Sequence, residues 1–174
     1  MEENEEFLNI IDDLLKNEKV EQMKKYRQHC DVSTYEHCLN VAYLNYMICK
    51  KLKLDYVSAA RAGMLHDLFL YDWREKRPKY KFTDKHAFKH PKIALKNAKK
   101  VTNLNQKEED IIVKHMWPVT IKLPKYKESY IITLTDKYSA TMETVDYIRR
   151  KNINRVVTLK KYLYGIMVGI IYQI

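Results

Sequence analysis

The sequence is poor in residues that break helices. Its 174 residues include only three glycines and four prolines. No segment shows the alternation of apolar and polar residues that is typical of strands, whereas long side chains that favour helices are abundant. The scarcity of glycine and proline therefore predicts an all-α protein, and the length predicts one domain with a sizeable core.

Cysteines are also few and carry no pairing pattern. Cys30, Cys38 and Cys49 are odd in number and lack CxxC spacing. The acidic start, MEENEEF, lacks the apolar run of a signal peptide. These features favour a cytoplasmic location without disulfides. The apolar end, 162-YLYGIMVGIIYQI-174, is too short for a comfortable membrane span, and we expect a terminal helix that packs on the core or on a second subunit, which allows a homodimer.

Positive charge exceeds negative charge, with a formal net charge of +10. Such a balance can serve nucleic acid, an anionic membrane or a small phosphorylated substrate. The lysines are scattered without a clear stripe, and no known nucleic-acid-binding motif is present, so the nucleic-acid signal is weak. The basic cluster 74-REKRPKYK-81 differs from the scattered lysines because it follows the His66-Asp67 pair closely.

Apolar periodicity and capping signals divide the chain into helices. We predict helices over residues 4–16, 19–28, about 33–52, about 56–69, about 90–100, about 105–117, about 126–148 and about 155–172. Ser33 with Glu36 and Asn105 with Glu108 form capping boxes, and Asp55 can cap the fourth helix. We also predict a charged, aromatic loop over 71–85 and place Pro91 in the first turn of the fifth helix.

Histidines and aspartates recur on separate predicted helices. They are His37, the pair His66-Asp67, His90, His115 and Asp136. A helical bundle can point all of these side chains at one spot. Imidazole nitrogens and carboxylate oxygens are ligands of Zn, Fe, Mn and similar ions. Each residue alone has an ordinary structural explanation, but Asp67 in an apolar stretch is tolerated if a cation neutralises it.

The ordered pattern H…HD…H…H…D resembles the HD-domain metal-dependent phosphohydrolase superfamily. The surrounding segments carry the same resemblance: 35-YEHCLNVA-42, 62-AGMLHDL-68, 89-KHPKIALKNA-98 and 135-TDKYSA-140. The similarity covers roughly residues 25–145. It implies an all-α HD-domain helical bundle, in agreement with the helix prediction. We expect one HD domain over 1–174, with the helices 4–16 and 155–172 flanking the core.

The resemblance also implies a ligand set. By this resemblance, a first ion in this protein would be held by His37, His66, Asp67 and Asp136. A second ion would be held by His90 and His115, with Asp67 bridging the two. The two intermediate histidines are typical of binuclear members, which include bacterial enzymes that cleave symmetrical dinucleoside tetraphosphates and cyclic-dinucleotide phosphodiesterases. This chain lacks the lysine that often follows the HD pair and the GYP signature, so the substrate is not carried over. The site admits Fe, Mn, Zn, Co or Ni.

The expected function is hydrolysis of a phosphate ester or anhydride of a nucleotide-like substrate by a metal-activated hydroxide. Asp67 is the central catalytic candidate. Arg74 and Lys137 are candidate cations for the phosphoryl charge, although Lys137 follows a ligand and points about 100° away from it on a helix. His86 lies four residues before His90, and it could protonate a leaving group, bind phosphate or act as an extra ligand.

Alternative functions remain open. An HD fold can retain metal and serve as a sensor or regulatory module without catalysis, and some HD proteins perform di-iron oxygenase chemistry. The net charge also prompts a nucleic-acid-binding alternative. Among other residues near the candidate ligands, His29 is expected to be solvent-facing or to contact a ligand, and Trp73 and Trp117 are expected to belong to the core or to an aromatic wall.

Overall fold

The computed structural model describes residues 2–74 and 86–171, with the backbone alone for residue 2 and for 156–171. These ranges form seven α-helices, a 3-10 turn and one hairpin. The helices are α1 Glu2–Leu15, α2 Glu18–Gln22, α3 Thr34–Lys51, α4 Tyr56–Leu65, α5 His86–Ala98, α6 Gln106–Lys114 and α7 Lys127–Ile171; the turn is Met23–Lys25, and the strands are β1 Arg27–His29 and β2 Val32–Ser33. The all-α prediction is confirmed, and the loop predicted over 71–85 lies outside the described residues from residue 75 onward.

The predicted capping interactions start α3 and α6. The Ser33 hydroxyl accepts a hydrogen bond from the Glu36 N–H at 3.2 Å, and the Glu36 carboxylate accepts one from the Ser33 N–H at 2.9 Å. Asn105 and Glu108 form the same reciprocal pair at 2.9 and 2.8 Å. Each pair satisfies donors that the first helical turn leaves unbonded. These two helices therefore begin where local sequence places them.

Helices α3 and α4 pack closely at Gly63. A Cβ atom at this position would lie 2.7 Å from the Ala42 Cα and 3.0 Å from the Asn45 Nδ2, which is too close for ordinary packing. Glycine therefore permits this approach of the two helices. The close packing brings His37 of α3 to His66, which follows the last residue of α4, with 5.5 Å between the ring centroids.

The core formed by α3 and α4 continues to α1. Phe7, Ile11 and Leu14 of α1 are buried, as the predicted apolar stripe requires. Phe7 packs against the aromatic rings of Tyr43 and Tyr46 at centroid distances of 5.2 and 5.5 Å. Apolar packing of α1, α3 and α4 thus fixes the position of the end of α4, which His66 follows.

Four details of the helix prediction are wrong. The helices predicted over 126–148 and 155–172 are one helix, α7, because the polar segment between them contains neither glycine nor proline. The fourth helix ends at Leu65 rather than near 69, and the fifth begins at His86, which places Pro91 in its interior. The hairpin β1–β2 replaces the end of the predicted helix 19–28. Within the part of the chain that the structure describes, none of the helices combines the length and the apolar character of a membrane span.

Candidate metal centre

The buried centre is assembled from the end of α4 and four other helices. His66 and Asp67 follow α4, His37 lies on α3, His90 on α5, His115 after α6, and Asp136 on α7. All six predicted ligands are buried. The structure therefore brings together the six residues that the sequence resemblance assigned as metal ligands.

Three histidines of the centre are oriented by carbonyl groups of their own chain segments. The Nδ1 atoms of His66, His90 and His115 lie 2.7, 2.9 and 2.8 Å from the carbonyl oxygens of Gly63, His86 and Ile112. A carbonyl oxygen only accepts, so each Nδ1 carries the proton and donates. In the neutral ring, Nε2 keeps a lone pair, which is the form in which imidazole binds metal.

The first donor group comprises His37, His66, Asp67 and Asp136. One ligand atom from each lies within 4.8 Å of all the others. The His37 Nε2 is 3.1 Å from the Asp136 Oδ1, and the His66 Nε2 is 3.7 Å from the same oxygen and 3.6 Å from the Asp67 Oδ2. Two nitrogens and two carboxylate oxygens therefore converge on one point.

The second donor group comprises Asp67, His90 and His115. The Asp67 Oδ1 lies 3.1 Å from the His90 Nε2 and 3.5 Å from the His115 Nε2. The two Nε2 atoms are 2.7 Å apart, with their Nδ1 protons directed elsewhere. Asp67 belongs to both groups, with Oδ2 facing the first and Oδ1 facing the second.

The arrangement fits bound cations. Among the described residues, the His66 Nε2 and the Asp67 Oδ1 are buried without a hydrogen-bond partner. Unpaired buried polar atoms are costly, and the Nε2 atoms of His90 and His115 would repel each other if both carried only lone pairs. A cation in each group would satisfy these atoms at once. The mixture of nitrogen and oxygen donors suits transition-metal ions such as Zn, Fe or Mn.

Electrostatics within the centre keep the carboxylates charged. Burial opposes ionisation, yet the neighbouring histidines hold the pKa of Asp67 well below its usual range, and the hydrogen bond with His37 lowers the pKa of Asp136 in the same way. Burial opposes protonation of His37, but Asp136 and Glu143 raise its pKa to about 10. Burial lowers the pKa of His115 to about 3. A metal ion at His37 would therefore displace a proton.

A cavity of about 550 Å³ opens onto the centre. Asp67, His90, His115 and Asp136 contribute to its lining, and Trp73, Met116 and Ala140 lie on its walls. The volume is in the range of small-molecule sites, which are typically apolar with a few convergent polar groups. The cavity can therefore hold a small organic molecule with one end at the metal-binding residues.

His86 lies on the cavity wall next to the second donor group. Its ring stacks on His90 at 4.4 Å and on Trp73 at 5.3 Å, with interplanar angles of 20° and 18°. The Tyr71 hydroxyl lies 3.0 Å from the His86 Nδ1. His86 is absent from both donor groups, so the structure favours a wall residue over an extra ligand.

The two predicted cations have different positions. Lys137 lines the cavity, and its ammonium donates to the carbonyl oxygens of Trp117 and Thr133, both at 3.1 Å. Its long side chain thus returns toward the cavity although its Cα is rotated from that of Asp136. Partial burial lowers the pKa of Lys137. Arg74 instead pairs with Asp72 at 3.0 Å and is exposed; it is absent from the cavity lining.

Three residues near the centre were not selected from the sequence as site residues. Gln28 donates to the Asp67 Oδ2 at 2.5 Å, and His29 lies 5.3 Å from His37 between ring centroids; both belong to the hairpin that sequence analysis missed. His29 thus lies beside the predicted ligand His37, which is one of its two expected positions. Glu143 accepts a hydrogen bond from the His37 Nδ1 at 2.9 Å. The spacing of seven residues from Asp136, two helical turns, is the sequence signal that could have revealed Glu143.

The fold and the centre together define an all-α protein with a buried histidine–aspartate site. A comparison with protein families matches residues 34–141, more than half of the chain, to the HD domain. The chain belongs to the HD-domain family, as the sequence pattern predicted. Comparisons with curated proteins and with solved structures gave no match. HD domains bind divalent metal ions and are mostly metal-dependent phosphohydrolases, which agrees with the donor groups described above.

Proposed function

We propose that this protein is a phosphohydrolase that cleaves a phosphate ester or anhydride of a nucleotide-like substrate. The observation that carries the proposal is the shared Asp67, whose two carboxylate oxygens face two donor groups beside one cavity. His37, His66, Asp67 and Asp136 would hold one ion, and Asp67, His90 and His115 the other. When bound, two such ions would supply Lewis acidity and a water of lowered pKa.

The chain's own residues have separate tasks in this proposal. Asp67 fixes the spacing between the two donor groups, because one rigid carboxylate contributes to both. Lys137 would exchange a carbonyl contact for a phosphoryl oxygen of the substrate. His86 would contact the substrate from the wall that it forms with Trp73. Arg74, which pairs with Asp72, has no part in this arrangement.

The cavity supports a substrate with a planar or apolar part. Trp73 and Met116 offer an aromatic ring and a flexible thioether to a nucleobase or sugar, while the metal-binding residues face the phosphate. A phosphate at this end would be anionic, and the only cationic side chain on the described part of the lining is Lys137. Bound metal ions would therefore neutralise most of the phosphate charge.

A turnover screen tests the proposal. The metal-loaded protein is assayed with p-nitrophenyl phosphate, its bis-ester, nucleoside phosphates and dinucleoside polyphosphates. We expect turnover of at least one phosphate substrate and a loss of at least about 100-fold in Asp67→Asn, because changes of residues that only contact metal ligands already cost about 10–100-fold. Asp110→Asn is the control, since Asp110 is a buried aspartate outside the cavity.

Two outcomes would contradict phosphohydrolase activity. A protein that binds metal but turns over no phosphate substrate would be a sensor or regulatory module. Substrate-dependent oxygen consumption without phosphate release would indicate oxygenase chemistry instead. Equal activity of the wild type and Asp67→Asn would remove the assigned role of Asp67.

We further propose a cytoplasmic homodimer that uses the outer face of α7. Leu134, Tyr138, Met142 and Val145 are 69%, 57%, 40% and 49% exposed and succeed one another at three- or four-residue spacing. This apolar stripe can pack against the same stripe of a second copy. Light scattering coupled to gel filtration should give a dimer, and Leu134→Glu with Val145→Glu should give a monomer. A monomeric wild type at high concentration would refute the dimer.

A further inference from the structure

His37 differs from the other histidines of the centre in the partner of its Nδ1 atom. The Nδ1 atoms of His66, His90 and His115 donate to backbone carbonyls. The Nδ1 of His37 instead lies 2.9 and 3.2 Å from the two carboxylate oxygens of Glu143. His37 is therefore the one histidine of the two donor groups that is oriented by a carboxylate.

Glu143 is placed for this contact by α7. It lies two helical turns after Asp136, so both carboxylates face the same side of the helix. The Glu143 side chain is only 8% exposed, and its hydrogen bonds within the described residues go to His37. Burial of a carboxylate is costly unless it is paired. The contact with His37 accounts for its position.

A separate metal site is the competing explanation for Glu143. His29, His37 and Glu143 have ligand atoms close enough to share an ion. His37 would then bind ions through both ring nitrogens, which requires loss of both ring protons. An Nδ1–H that donates to Glu143 requires loss of one proton only, and a carboxylate that accepts from the other ring N–H of a ligating histidine is common at metal sites. The geometry therefore favours an orienting contact.

We propose that Glu143 is a positioning residue for His37 and makes the two donor groups unequal, so that the first ion binds at His37, His66, Asp67 and Asp136. This inference rests on the proposed metal centre. The group at His37 has Asp67, Asp136 and Glu143 as nearby carboxylates, whereas Asp67 is the only carboxylate of the other donor group. A carboxylate behind His37 raises the basicity of its Nε2 and attracts the cation.

A metal titration of the metal-free protein tests this inference without any substrate. Zn²⁺ is added in competition with a chromophoric chelator, and the affinity of each equivalent is measured. The wild type should bind two equivalents, with the first tighter. Glu143→Leu should weaken that first equivalent about 10–100-fold, the usual effect of removing such a partner. Glu143→Gln should recover part of the loss, because its amide oxygen still accepts from the His37 Nδ1.

Glu128→Gln is the matched control. Glu128 is also a buried glutamate of α7, but it accepts hydrogen bonds from Lys107 and the Asp55 N–H rather than from a histidine. This variant should unfold more easily and keep both Zn²⁺ affinities. Thermal unfolding of each metal-free variant separates lost stability from lost affinity. His90→Ala shows which Zn²⁺ equivalent binds at which donor group. This variant should lose the weaker equivalent, and the affinity of the remaining tighter one should still fall when Glu143 is replaced.

Several results would overturn the inference. These are two equivalents of equal affinity in the wild type, no bound Zn²⁺ at all, or a loss in the Glu143 variants that is matched by Glu128→Gln. A third equivalent that disappears in Glu143→Leu would make Glu143 a ligand instead. Absence of phosphatase activity would leave the inference standing, because the titration does not depend on turnover.

Discussion

At the scale of single residues, the geometry of the centre depends on the contact that the second polar atom of each side chain makes. Asp67 uses one oxygen toward each donor group, and Gln28 from the hairpin contacts the oxygen that faces the first. The histidines direct their Nδ1 protons outward and their Nε2 atoms inward. Such fixed orientation places the donors before any ion arrives, which lowers the cost of ordering them on binding.

Gly63 provides a residue-scale prediction. Replacement of glycine by alanine inside a helix normally stabilises it by about 1 kcal/mol. At this position the added methyl group would lie 2.7 Å from the Ala42 Cα, which is backbone and cannot rotate away. Overpacking costs about 1–3 kcal/mol or more. We therefore expect Gly63→Ala to lower the free energy of unfolding, as measured by urea denaturation.

Asn9→Ala is the control for Gly63→Ala, since Asn9 is exposed on α1 and its replacement removes no core contact. Its effect should stay within about 0.5 kcal/mol. A Gly63→Ala protein as stable as the wild type would show that α3 and α4 do not approach as closely as described.

The six buried residues of the centre could be selected from the sequence, because their order and spacing resemble the HD-domain pattern, and their role as ligands stays a prediction. Glu143 could not be predicted with the same ease, since a glutamate on a helix is usually exposed. Lys137 was selected as a candidate cation, but its contacts with the Trp117 and Thr133 carbonyls could not be predicted, because a helical wheel gives the direction of Cβ and not the path of a four-carbon side chain. Contacts between distant segments decide such cases.

At the scale of elements, α6 holds the start of α7 through Asp110. The Asp110 carboxylate accepts hydrogen bonds from the Lys125 N–H at 2.9 Å and from the Ser129 hydroxyl at 2.8 Å, and Lys114 pairs with it at 2.5 Å. Burial would raise the pKa of Asp110, but these three partners lower it. The ionised carboxylate therefore stabilises the folded protein.

This stabilisation should depend on pH. A carboxyl group with a lowered pKa in the folded state contributes in full above its ordinary pKa, and its contribution is lost as pH falls toward the lowered value. Asp110→Asn should cost about 1–3 kcal/mol at pH 7, the usual effect of breaking hydrogen bonds to a buried charge. The difference from the wild type should shrink below about pH 4. Urea unfolding at a series of pH values measures it, and a difference independent of pH would refute this role.

Helix starts were predictable where capping is local, as at Ser33 and Asn105. The hairpin was not, because its strands have three and two residues and too few positions for a periodic pattern. Its turn also places Cys30 at a positive φ of 51°. A positive φ is uncommon for residues other than glycine, so a cysteine at this position does not predict a turn. A strand pair of this size forms because it packs against α3 and α7.

At the scale of the whole molecule, separate helices converge on one polar end while their apolar faces form the core. The order of elements along the chain distributes the six predicted ligands over α3, α5, α7 and the ends of α4 and α6. No single element could bind metal alone, so the centre exists only in the folded protein. Metal binding should therefore stabilise the folded state by mass action.

The metal content of the purified protein tests the central claim most directly. Elemental analysis of the wild type and Asp67→Ala, after reconstitution with Zn²⁺ or Mn²⁺, gives the number of ions per chain. We predict close to two ions in the wild type and loss of both in the variant, because Asp67 belongs to both donor groups. A wild-type protein that retains no metal, or an Asp67→Ala variant that retains both ions, would contradict the account.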